Sequence, residues 1–194
     1  MTTRQLCKNL QNKGGAKLDL YKLKRIILVG SGGSGKSYLA KKLADITGYP
    51  MTHLDNEYWK PNWVKTLRDE WAEKQKNLIS GDGWIIDGNY NSSMELRFAA
   101  ADLVIFLDIN RFICMWSALK RHGKKRSDLP EYLDEKMNFE FIDFLKWMWT
   151  FPKTGKKTIL ALHEKYPDKP FIVVKSRMEM RKLLNEWSNH YENH

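Results

Sequence analysis

The octapeptide Gly30-Ser31-Gly32-Gly33-Ser34-Gly35-Lys36-Ser37 follows directly on the apolar run Ile26-Ile27-Leu28-Val29. It satisfies Gly-x-x-x-x-Gly-Lys-[Ser/Thr], and it sits where a phosphate-binding loop needs to be, between a buried strand and a helix start, rather than as an ordinary Gly/Ser loop. A continuous apolar run that stops at glycine reads as a strand covered on both faces. Helical spacing resumes at once: Leu39, Leu43 and Ile46 recur at i, i+4, i+7 within 37–47, and Gly48 and Pro50 end the run. Glycines let such a loop curl until several N–H groups point inward at phosphate oxygens. The positive end of the following helix dipole strengthens that field. Residues 30–37 are therefore read as an ATP cradle. Lys36 is expected to reach the β- and γ-phosphates, and the Ser37 hydroxyl to ligate Mg²⁺.

Four further apolar runs follow: Met51-Thr52-His53-Leu54, Trp84-Ile85-Ile86, Leu103-Val104-Ile105-Phe106-Leu107 and Phe171-Ile172-Val173-Val174. Helices are predicted over approximately 66–80, 110–122, 131–149, 155–165 and 178–188. Strands alternating with helices give an α/β fold with a mostly parallel sheet. The length of 194 residues suits one domain, assigned to 24–190. Residues 1–23, with Lys8, Lys13, Lys17 and Lys22 around Gly14-Gly15, read as a flexible basic arm.

A hydrophobic share of 42% is enough for a real core and excludes a wholly disordered chain. No stretch approaches the roughly 18 uninterrupted apolar residues of a membrane helix. No secretory h-region opens the chain, and no membrane partner is expected. Cys7 and Cys114 stand far apart without metal-ligand spacing, which suits a reducing cytoplasm. The formal net charge of +10 suits a phosphate-bearing partner, and composition alone does not choose among nucleotide, nucleic acid and anionic membrane.

Two carboxylates fall at predicted strand ends. Asp55 follows His53-Leu54 and can accept the proton of a substrate hydroxyl or anchor Mg²⁺ through water. An N-cap or turn role would place it equally well. The aromatic stretch after it (Tyr58, Trp59, Pro61, Trp63) can wall an acceptor pocket or pack as a hydrophobic lid. Asp87 ends the third strand and is the candidate that holds Mg²⁺ indirectly beside Ser37. Gly88 permits close backbone approach there. A GTPase would need an Asn-Lys-x-Asp guanine reader, which the chain lacks. A small kinase fits better, because its remaining groups lie at the carboxyl ends of neighbouring strands.

The loop at 30–37, Leu54-Asp55-x-x-Tyr58-Trp59, Asp87-Gly88-Asn89-Tyr90 and Ala101-Asp102-Leu103-Val104-Ile105-Phe106-Leu107-Asp108 together resemble the adenylate-kinase-related DNA topology modulation proteins. The resemblance spans about 24–187. It implies a three-layer P-loop fold of the nucleoside-monophosphate-kinase kind, five parallel strands in order 2-3-1-4-5, a small lid, ATP binding and a kinase reaction. Tyr58, Trp59, Gly88, Asn89 and Tyr90 then fall on the substrate side. Adenylate kinases continue their tetrad as Asp-Gly-Phe-Pro-Arg, whereas this chain has Asn89-Tyr90-Asn91, so AMP is not the expected acceptor. Arg97, in the matching Leu96-Arg97-x-x-x-Ala-Asp stretch, is the candidate replacement cation that would clamp an anionic substrate or the γ-phosphoryl. A surface helix arginine is the plain alternative.

Lys120-Arg121-His122-Gly123-Lys124-Lys125-Arg126 places five basic residues in seven with no acid. Arg121 and Arg126 are read as lid cations, in a lid over about 120–135, that close on the triphosphate. A solvated helix end and a nucleic-acid patch are the competing readings. Phe141, Phe144, Leu145 and Met148 follow helical spacing and read as a buried face. No role is assigned to the five histidines, and Lys175-Ser176-Arg177 borders the expected adenine position. The combined expectation is a phosphotransferase using ATP and Mg²⁺ on a small-molecule or nucleotide acceptor. Its rivals are a nucleotide-regulated nucleic-acid-binding protein affecting DNA topology and an ATPase without acceptor.

Overall fold

The computed structural model describes residues 19–61, 64–121 and 139–192. Its sheet has five parallel strands: β1 (Arg25–Gly30), β2 (Met51–His53), β3 (Trp84–Asp87), β4 (Leu103–Leu107) and β5 (Phe171–Val174). They lie in the order β2-β3-β1-β4-β5, the expected 2-3-1-4-5. All five coincide with the apolar runs of the sequence.

Helices α1 (Lys36–Thr47), α2 (Leu54–Tyr58), α3 (Arg68–Leu78), α4 (Asn91–Ala100), α5 (Arg111–Arg121), α6 (Phe139–Thr150), α7 (Gly155–Lys165) and α8 (Arg177–Glu192) cover both sheet faces. Each central strand feeds two cores, because successive side chains alternate. Ile26 and Leu28 pack with Leu39 and Leu43 of α1 and Leu183 and Trp187 of α8. Ile27 and Val29 face the other way, against Met94 and Phe98 of α4 and Ile159 of α7. The result is three layers.

Two elements were not legible in the sequence. The segment after β2, for which spacing predicts no element, forms the single-turn α2, and Trp59–Lys60 pairs antiparallel with Val64–Lys65 in a small hairpin. The last residues of the expected arm belong to the body. Leu20 and Leu23 are buried, and the Tyr21 hydroxyl donates to the His190 carbonyl at 3.0 Å. The span 122–138, with most of the expected lid, Arg126 and the start of the helix predicted from 131, lies outside the described residues. Among the described residues, no helix is long and apolar enough to cross a membrane.

Candidate active site

Residues 30–37 form the loop between β1 and α1, at the carboxyl edge of the sheet. Its backbone turns through left-handed positions, with Gly33 at φ +67° and Gly35, the residue before α1, at +96°. At Gly33 a Cβ would fall on the Cys114 carbonyl oxygen of α5, so glycine is required twice over, by conformation and by space. Helix α6 packs on the loop as well: a Cβ at Gly32 would fall on the Phe144 ring and come within 3.2 Å of the Met148 sulfur. Of the predicted α6 face, Phe141 and Met148 are buried, and Phe144 and Leu145 are half-buried against them. Burial pushes the Cys114 thiol up to about 11, which makes it packing material rather than a nucleophile at neutral pH.

Inside the loop, the Lys36 ammonium donates to the Ser31 carbonyl at 2.9 Å. The Ser31 and Ser34 hydroxyls are buried and have no hydrogen-bond partner among the described residues. Ser37 donates its hydroxyl to Asp87 Oδ2 at 2.7 Å, which brings together the two residues expected to serve Mg²⁺. His53 Nδ1 lies 2.9 Å from the same carboxylate oxygen. No spacing in the sequence points to His53, because its contact depends on the β2–β3 register that sets His53 opposite Asp87. Asp87 is only 5% exposed, and its Oδ1 has no partner among the described residues. A buried carboxylate oxygen without a donor is costly to keep. The hard oxygens of Ser37 and Asp87 therefore suit a hydrated Mg²⁺.

The acceptor-side residues gather between α2 and the loop after β3. Asp55 is exposed at the start of α2 and accepts the Tyr90 hydroxyl at 2.8 Å. Burial, reinforced by the Asp55 charge, drives the Tyr90 phenol pKa far above its ordinary value, so Tyr90 remains a donor. Tyr58 and Trp71 complete a cluster with Tyr90, with ring centroids 4.6 and 5.0 Å from it, and Trp59 packs edge-on to Tyr58 at 5.1 Å. Trp63 lies outside the described residues. Gly88 passes so near α2 that a Cβ would approach Leu54 Cβ to 2.8 Å.

Arg97 and Asn89, placed on the substrate side by the resemblance, both turn their side chains to protein partners. Arg97 is only 1% exposed and faces inward from α4. It donates to Gln75 Oε1, to the Ser93 hydroxyl at 2.8 Å and to the Asn89 carbonyl. Burial lowers its pKa to about 9, still above neutrality, so at pH 7 it is an interior cation engaged by protein oxygens and not an open anion clamp. Asn89 directs its amide at Gly30: Oδ1 accepts from the Gly30 N–H at 3.0 Å and Nδ2 donates to the Gly30 carbonyl at 2.7 Å. Arg121 ends α5, the helix against Gly33, and is half-buried.

No family model matches the chain, and no curated protein sequence does. Solved structures do resemble it. A gluconokinase from Sinorhizobium meliloti 1021 aligns with TM-score 0.51 and 15% identity over 89% of this chain and 93% of its own. A shikimate kinase from Acinetobacter baumannii, in complex with shikimate, aligns with TM-score 0.57 and 13% identity over 86% of this chain and 92% of its own. At such identities the likeness speaks for the fold, which is that of small P-loop kinases.

Proposed function

We propose that the chain is an ATP-dependent phosphotransferase acting on a hydroxyl-bearing small molecule. The observation that carries this reading is the Asp87 carboxylate. One of its oxygens holds the Ser37 hydroxyl, and the other is buried without a donor at the mouth of a glycine-rich phosphate cradle. The sequence resemblance across residues 24–187 and the fold shared with a gluconokinase and a shikimate kinase support the same reading.

Bound with the triphosphate at Ser37 and Asp87, Mg²⁺ would neutralise charge on the β- and γ-phosphates. Lys36 would leave the Ser31 carbonyl for those phosphates, which offer it a full charge in place of a dipole. Arg121 and Arg126 are proposed as the cations that close on the transferring group. Asp55, oriented by Tyr90, would accept the proton of the acceptor hydroxyl. The acceptor oxygen then bonds to the γ-phosphorus as the bond to the β–γ bridging oxygen breaks, giving phosphorylated acceptor, ADP and one proton. Tyr58, Trp59 and Tyr90 would line the acceptor side, and Arg97, buried among protein oxygens, would leave the acceptor to other groups. The test is ADP formation with Mg·ATP across a panel of sugars, polyols, nucleosides and organic acids. Acceptor-dependent ADP supports the reading, and none above the acceptor-free rate for the whole panel overturns it.

A further inference from the structure

We infer that Asn89 and Arg97 are positioning residues that tie the acceptor-side loop to the phosphate cradle, an inference that rests on reading residues 30–37 as the ATP site. The ladder between β1 and β3 pairs Leu28 with Asp87, and the Gly88 N–H still reaches the Leu28 carbonyl at 3.2 Å. Beyond that rung the chain leaves the sheet. Gly30, two residues on, faces the same side of β1 with its N–H and carbonyl. The Asn89 side chain supplies both missing partners, at 3.0 and 2.7 Å, so a primary amide replaces one rung of backbone. Gly30 is where the strand becomes the cradle, and fixing both of its polar groups fixes the direction in which the loop departs.

Asn89 is held in its turn. Arg97 donates to its carbonyl while gripping Gln75 of α3 and Ser93 of α4, so the brace is anchored in two helices. Tyr90 adopts φ +43°, an uncommon conformation for a residue with a side chain, and the Ser93 N–H bonds to its carbonyl at 3.0 Å. That turn sends the Asn89 amide to Gly30 and the Tyr90 hydroxyl to Asp55 from adjacent positions. One loop therefore sets the cradle with one side chain and the proposed proton acceptor with the next.

The experiment compares the wild-type chain with Asn89→Ala, Asn89→Asp and Arg97→Lys. Calorimetry gives the Kd for Mg²⁺ with a non-hydrolysable ATP analogue, and thermal melting is recorded without ligand. Asp102→Asn serves as a destabilised control remote from the cradle. Asn89→Ala should weaken nucleotide binding about tenfold, on the order of two neutral hydrogen bonds. Asn89→Asp should weaken it further, because a carboxylate opposes the Gly30 carbonyl and donates nothing. Arg97→Lys keeps the charge but loses the fork, and should shift Kd the same way by less. The control should lower Tm with Kd unchanged. If the Asn89 variants also lose Tm at unchanged Kd, the two residues merely stabilise the fold and the inference is overturned. If the wild-type chain binds no Mg²⁺-nucleotide, the cradle reading itself falls, and the inference with it.

Discussion

Gly33 shows how little freedom the cradle has at the level of single residues. Gly33→Ala adds one methyl group, but it does so at φ +67° and against the Cys114 carbonyl. The left-handed backbone alone costs about 1–2 kcal/mol for a residue with a Cβ. The clash must then push α5 away from the loop. Urea unfolding should show a loss of at least about 2 kcal/mol, together with weakened Mg·ATP binding; unchanged stability would mean that α5 yields easily. Residue identity made the cradle readable because glycine, lysine and serine at fixed spacing serve few other purposes. Arg97 and Asn89 were a different matter. An arginine in a ten-residue helix has the same spacing whether it points out or in, and only the packing of Gln75 and Ser93 around it shows that it points in.

At the level of elements, the strands were legible because parallel strands covered on both faces read as continuous apolar runs, as β4 does throughout and β1 does from Ile26 onward. The hairpin at 59–60 and 64–65 and the single turn α2 carry no such signature, since two-residue strands and one-turn helices are fixed by tertiary contacts. The edge where β1 begins has its own lock. Asp102, just before β4, accepts from the Lys24 and Arg25 N–H groups at 3.2 and 2.9 Å and from the Arg25 guanidinium at 2.6 Å. Burial works to raise the Asp102 pKa, but the Arg25 bonds outweigh it and hold the carboxyl below its ordinary range. A depressed carboxylate contributes stability above its unfolded pKa and loses it as pH falls through the folded one. Asp102→Asn should therefore cost about 1 kcal/mol at pH 7, and the gap from wild type should close as pH falls below about 4. Paired unfolding curves at the two pH values check this; a gap that persists in acid would show that the hydrogen bonds, not the charge, matter.

For the molecule as a whole, the charge of +10 has a distribution. Residues 1–25 hold seven basic residues and one acid (+6), and residues 111–126 hold six basic residues and no acid (+6), leaving 10 − 12 = −2 for the rest. Half of the charge in those two segments falls on α5 and the residues that follow it in sequence, and α5 packs on Gly33. The pairing of Ser37 with Asp87 was expected from the motif, but spacing could not supply His53 on the same carboxylate or Asn89 on Gly30. Those contacts gather the residues on which the proposed transfer site rests. The most direct test follows the γ-phosphoryl itself. ATP labelled on that group is incubated with Mg²⁺, the chain and the acceptor that gives ADP in the panel. Label is expected on the acceptor and little as free phosphate, with Lys36→Ala and Asp87→Asn each slowing transfer by on the order of a hundredfold or more. Label released only as inorganic phosphate, or transfer that survives both substitutions, would contradict the proposed function.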